Sequence, residues 1–177
     1  IFLDFRLIRG DSALAGELRR HVHATLPEQR GVQFVLAREA LAFRPPMRLP
    51  GNIYLGGASE SSGKFDLKDA LQPMVAFARV YAERQRIVAT HTMDRIAALA
   101  DRDLLPAGSR EEIADAYDFL MDLRLQTQLD DVRAGREATS VVELSSLTAL
   151  QRELLRGSFA AIADVQKTAE REFPEVS

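Results

Sequence analysis

Acidic and basic side chains lie two residues apart in each of two short predicted strands. Asp4 and Arg6 form the first pair, and Asp66 and Lys68 form the second. Alternate residues of a strand point to the same face, so each strand would present an acid beside a base. A carboxylate placed there could hold Mg²⁺, and a lysine could bind a phosphate. Two edge strands with solvated outer faces explain the spacing equally well, and the residues alone do not decide between these readings.

A second candidate pair, Arg124 and Gln128, lies on a long predicted helix. Residues four apart share one helix face, and the planar guanidinium of arginine suits phosphate oxygens. On spacing alone, an exposed arginine whose stem packs on the helices is the preferred interpretation.

Two other patterns are weaker. The stretch from Gly57 to Lys64 has one residue too many between its glycines for a phosphate loop, and phenylalanine follows the lysine. Asp101 and Asp103 have the spacing of a metal-binding carboxylate pair, but they lie at a predicted helix end, where solvated charge is the expected role.

The elements that would carry these residues are mostly helices. The periodicity predicts strands at 1–8 and 64–68, and a loop at 47–63 that could contain a brief strand at 53–55. It predicts helices at 12–24, 27–43, 69–84, 92–102, 109–134 and 149–173. Capping boxes are expected at Ser109–Glu112 and Thr148–Gln151. Asp11 and Ser12 are candidate N-cap residues of the first helix, and Gly135 is placed to end the long helix. Short connections between amphipathic helices favour antiparallel neighbours. The fold class predicted is mainly α, an antiparallel helical bundle with a small β portion near the N-terminus.

Composition narrows the function classes. A formal net charge of −3 argues against a nucleic-acid partner. No apolar run approaches the roughly 18 residues of a membrane span, so no membrane partner is expected. The chain has no cysteine, which excludes thiolate chemistry and is compatible with a reducing cytoplasm, the expected location. Because the chain opens without an initiator methionine, we interpret it as a piece of a longer protein.

Several short segments stand out in order along the chain: Asp4-Phe5-Arg6 with Gly10-Asp11, Phe43-Arg44-Pro45-Pro46, Phe65-Asp66-Leu67-Lys68, Thr92-Met93-Asp94-Arg95, Ala116-Tyr117-Asp118-Phe119-Leu120 and Leu123-Arg124-Leu125. Taken together, they resemble a bacterial family of signal-transduction nucleotidyltransferases that often carry cyclic-nucleotide-binding and CBS domains upstream. The resemblance covers nearly the whole chain. More distantly, the chain is similar to glutamine-synthetase adenylyltransferases and PII uridylyltransferases, in which an Asp-x-Arg-Leu strand supplies a metal-binding carboxylate.

The resemblance implies that residues 1–26 are the last strand and helix of a nucleotidyltransferase core and that residues 27–177 are its helical substrate-binding domain. Asp4 would be a catalytic metal ligand supported by Arg6. Asp66, Lys68, Arg124 and Gln128 would bind nucleotide or substrate. The expected reaction is Mg²⁺-dependent transfer from a nucleoside triphosphate to an acceptor hydroxyl, which could belong to a signalling protein.

Whether the chain is itself an enzyme stays open. The resemblance places the glycine-serine turn and the Asp-x-Asp pair of the catalytic core upstream, and these 177 residues do not contain them. The alternative function is a non-catalytic helical module for protein interaction or dimerisation in signal transduction. A homodimer is compatible with either reading.

Overall fold

The structure, a computed structural model, describes residues 5, 7–42, 47–48, 52–53, 63–105 and 108–173. It contains α1 (Ser12–Thr25), α2 (Arg30–Ala42), β1 (Met47–Arg48), β2 (Asn52–Ile53), β3 (Lys64–Asp66), α3 (Leu67–Arg84), α4 (Thr92–Ala100), α5 (Ser109–Arg133), β4 (Val141–Glu143) and α6 (Ala149–Glu172). Single 3₁₀ turns, Leu26–Glu28 and Leu144–Ser146, precede α2 and α6.

The central helix is α3, against which α2, α4, α5 and α6 all pack. Its apolar residues occur on several faces, so most of its side chains are buried, including Leu67, Met74, Phe77 and Val80. A helix that is apolar nearly all round is stable only in such a surrounded position. The predicted mainly α helical bundle is therefore confirmed.

The β portion agrees only in part with the prediction: β3 lies within the strand predicted at 64–68, while β1 and β2 lie in the predicted loop, where β2 overlaps the brief strand expected at 53–55. β1 pairs with β2, and β3 pairs antiparallel with β4, with Phe65 opposite Val142. β4 comes from the link between the last two helices, which no local pattern marked as a strand. Only residues 5, 7 and 8 of the predicted first strand are described, and they are not in a strand.

The two predicted capping boxes have different outcomes. At Thr148 the hydroxyl accepts the Gln151 amide at 3.2 Å and the Gln151 side chain accepts the Thr148 amide at 2.9 Å, so this box is confirmed. The box predicted at Ser109 is wrong, because Gly108 takes the N-cap position with φ of 83° and Ser109 is the first helical residue. The predicted end of α5 at Gly135 is confirmed, since Gly135 follows the helix with φ of 70°.

The first helix, α1, packs differently from the others. It has no buried residue, and Leu14 and Leu18, which share its apolar stripe, are 65% and 53% exposed. Asp11 caps it, as predicted, by accepting the Ala13 amide at 2.7 Å. The division of the chain between residues 26 and 27 stays a prediction.

Candidate functional site

Asp66 stands at the joint between β3 and α3. Its extended backbone ends the strand, and its carboxylate accepts the Lys68 amide at 2.9 Å, which makes it the N-cap of α3. The predicted strand through residue 68 is therefore wrong, and Asp66 and Lys68 do not share a strand face. Aspartate is among the best N-cap residues, and here its capping preference ends the alternating pattern two residues early. Lys68 lies exposed in the first turn of α3.

Ser140 connects this joint to α5. Its carbonyl accepts the Leu67 amide at 2.9 Å, and its hydroxyl accepts the Nε–H of Arg124 at 3.0 Å. Ser140 is 5% exposed and directly precedes β4, whose Val141 pairs with Asp66. Ser140 therefore contacts both Arg124 and the amide of Leu67, the first residue of α3, which directly precedes Lys68.

Arg124 is half-buried, and only its Nε makes a hydrogen bond to a described residue. Within the described ranges, no carboxylate forms an ion pair with its guanidinium. Gln128 follows one turn later on α5 and is also half-buried. An arginine held through Nε keeps its two terminal nitrogens available as paired donors, the geometry that suits carboxylate and phosphate oxygens.

Asp131 holds the link between α5 and β4 in place. Its carboxylate accepts the Thr139 amide at 3.0 Å and hydroxyl at 2.8 Å, and also the Arg136 Nε–H at 3.0 Å. These hydrogen bonds, first those from Thr139 and then the one from Arg136, hold the pKa of Asp131 below its usual range. Because Ser140 directly follows Thr139, Asp131 also positions the serine that contacts Arg124.

We expect Asp131→Asn to lower the melting temperature by a few degrees at neutral pH. A carboxylate whose pKa is depressed by folding contributes stability above its unfolded value of about 3.9, and this contribution is lost as the pH falls through the lower folded value. The difference between wild type and variant should therefore shrink below about pH 4, which thermal melts followed by circular dichroism across pH would measure.

The matched control is Asp130→Asn, one residue earlier. Asp130 is exposed and pairs only at the surface with Arg133, at 3.3 Å. Exposed pairs contribute little, so this variant should melt like the wild type at every pH. An equal loss in both variants would contradict the role given to Asp131.

Two cavities lie near these elements, but the predicted site residues line neither. One, of about 580 Å³, is bordered by polar side chains of the α5–β4 link and by Lys64. Lys64 pairs there with Glu143 at 2.7 Å. The other, of about 650 Å³, lies between α5 and α6 over Phe77. Lys68, Arg124 and Gln128 therefore lie outside both cavities.

The catalytic residues predicted from the resemblance, Asp4 and Arg6, lie outside the described residues. Among those that are described, no group of three or more histidine, aspartate or glutamate side chains is arranged to hold a metal ion. Asp101 and Asp103 are exposed, and Asp101 pairs with Arg110 at 3.2 Å, which agrees with the solvated-charge interpretation.

Sequence reasoning missed Ser140 and Asp131. Both lie at the edges of an irregular link that showed no periodic pattern, and their partners are distant or in another element. The only available signal was the acid at residue 131 followed by arginine and threonine five and eight residues later, and that spacing defines no known local motif.

In the described part of the chain, no helix is both long and apolar enough to cross a membrane.

These features define a mainly helical domain in which a half-buried arginine lies next to the N-terminus of the central helix. Residues 30–173 match a protein family described as "Putative nucleotidyltransferase substrate binding domain". The match covers most of the chain, so the chain belongs to this family of nucleotidyltransferase substrate-binding domains, as the ordered segments indicated. No curated protein and no solved structure matches the chain.

Proposed function

We propose that this domain binds the phosphate-bearing substrate of a nucleotidyltransferase at the surface formed by Lys68, Arg124 and Gln128. One observation carries the proposal: Ser140 fixes the Arg124 guanidinium through Nε, while its terminal nitrogens pair with no carboxylate of the described residues. A bidentate arginine and a nearby lysine are the usual donors to phosphate oxygens.

The proposed role of Asp66 follows from its position. Its carboxylate accepts the Lys68 amide, so it starts α3 and orients the first turn that carries Lys68. A carboxylate at this point would also repel a phosphate from the N-terminus of α3, so that the phosphate would bind at Lys68 and Arg124 instead. Direct contact between Asp66 and the substrate stays a prediction.

The proposed reaction is transfer of a nucleotidyl group from a nucleoside triphosphate to an acceptor hydroxyl, which could be on a signalling protein. Magnesium would supply charge neutralisation at the triphosphate, and we assign Asp4 to it with Arg6 in support, on the resemblance alone. The chain has no cysteine, which suits a reducing cytoplasm as the location.

Calorimetry of the chain with Mg²⁺ and each of ATP, UTP, CTP and GTP tests the binding step. Selective binding of one triphosphate, lost when Arg124 is replaced, is the expected result. Absence of binding to all four would contradict a nucleotide surface on this domain and would leave the acceptor as its substrate.

We further expect that the chain alone transfers no nucleotide, because it contains no glycine-serine turn followed by an Asp-x-Asp pair, the arrangement that the resemblance implies for the catalytic core. Incubation with radiolabelled triphosphate and candidate acceptors measures this. In a protein that also carries an intact core, Asp4→Ala should abolish transfer while leaving the melting temperature unchanged. Incorporation by the chain alone, or full activity of the Asp4 variant, would refute the assignment.

A further inference from the structure

The long helix α5 carries apolar residues on two opposite faces. Ile113, Leu120 and Leu123 are at most 5% exposed and pack into the core. On the opposite face, four large apolar side chains are exposed to solvent: Met121 at 38%, Leu125 at 55%, Leu129 at 43% and Val132 at 61%. We call these four residues the outer stripe of α5.

The spacing of the outer stripe is that of a helix–helix contact. Its members are four, four and three residues apart, which aligns them along one face over about 16 Å of helix. A single exposed leucine is ordinary, but four aligned on one helix face are typical of an interaction surface. A helix that is apolar on both faces is normally covered on both.

The charges beside the outer stripe favour a second copy of the same helix in antiparallel orientation. The exposed acids Asp115, Asp118 and Asp122 lie in the first 14 residues of the 25-residue α5, and the exposed Arg133 ends the helix. Antiparallel pairing centred between Leu125 and Leu129 brings Asp122 of one copy close to the partner's Arg133. A parallel pair would instead place the acids of both copies toward one end and Arg133 of both copies toward the other, so no acid would lie beside the partner's Arg133.

Arg133 is available for such a contact. Its only ion pair with a described residue is with Asp130 at 3.3 Å, and both side chains are at least 70% exposed. An exposed pair of this kind costs little to rearrange.

We propose that two copies of this chain associate through the outer stripe of α5, antiparallel across a twofold axis that passes midway between Leu125 and Leu129. Each copy then covers the other's Leu125 and Leu129, and two Asp122–Arg133 pairs flank the contact. A twofold interface uses the same surface on both copies, which a self-complementary helix provides. The proposal uses no nucleotide contact and is independent of the function proposed above.

Sedimentation velocity from low micromolar to several hundred micromolar chain measures the association. We expect a monomer–dimer equilibrium that the double variant Leu125→Gln/Leu129→Gln shifts to monomer at every concentration. Glutamine is a good helix former, so α5 should persist, and circular dichroism checks this. The matched control is Leu150→Gln, an apolar residue of α6 that is 69% exposed, which should dimerise like the wild type.

A charge exchange tests the orientation separately. Asp122→Arg and Arg133→Asp should each weaken the dimer several-fold, because each places like charges opposite each other in the antiparallel pair. The two changes combined in one chain restore opposite charges and should recover dimerisation. A wild-type monomer throughout, a dimer that survives the glutamine variant, or a double exchange weaker than both single ones would overturn the proposal.

Discussion

Phe159→Ala is expected to lower the free energy of unfolding by about 3–5 kcal/mol, the largest effect on stability that we predict. Phe159 is fully buried in α6, and its ring lies edge-on to Phe65 of β3 with centroids 5.8 Å apart. Alanine would leave a cavity between the helices and remove the ring on which β3 rests. Urea unfolding followed by circular dichroism measures the loss.

The control for this substitution lies on the same helix. Leu150 is 69% exposed, so Leu150→Ala removes a side chain of similar apolarity without opening a cavity. It should change the free energy of unfolding by no more than about 0.5 kcal/mol. A Phe159 variant as stable as the Leu150 variant would show that the space beneath β3 refills at little cost.

Arg124→Gln is expected to weaken binding of the preferred nucleoside triphosphate by about 10- to 100-fold, which is the loss of one or two hydrogen bonds to a charged group. Arg124→Lys keeps the charge but not the planar pair of donors, so its affinity should fall between those of the wild type and the glutamine variant. Calorimetry in Mg²⁺ measures both, and circular dichroism establishes that α5 is intact.

Arg136→Gln is the matched control. Arg136 lies just after the end of α5, and its guanidinium is bound to Asp131 at 2.8 Å. Its removal should alter stability and leave triphosphate affinity within about twofold of the wild type, since it presents no free donor fork. Equal affinity losses in the two variants would indicate general electrostatic attraction and would contradict a specific role for Arg124.

Ser140→Ala separates positioning from charge. Arg124 would keep its charge but lose the hydroxyl that accepts its Nε–H, so its side chain could adopt more rotamers. We expect an affinity loss smaller than that of Arg124→Gln. An affinity equal to the wild type would show that Ser140 does not orient the arginine.

The helices were predictable because their signals are local. Apolar periodicity, the Asp11 cap, the Thr148 box and the glycine after α5 all act within a few residues, and the structure follows them. The errors arose where two local signals competed. At Asp66 capping ended an alternating strand pattern, and before α5 a left-handed glycine took the cap position from serine.

The candidate site was only partly predictable. Arg124 and Gln128 could be placed on one helix face from their spacing. The contact of Ser140 with both Arg124 and the first residue of α3, next to Lys68, could not be predicted. In the sequence, Ser140 lies 16 positions from Arg124 and 73 positions from Leu67. No sequence period records such a contact, because it depends on how the helices pack.

The pairing of β3 with β4 has a consequence for how the chain folds. Residues 64–66 pair with residues 141–143. This pairing closes a loop of about 75 residues that contains α3, α4 and α5. Contacts so distant in sequence form late, after the entropy of closing the loop has been offset by helix packing. We therefore expect the contacts of Ser140 with Arg124 and with the first residue of α3 to form late in folding.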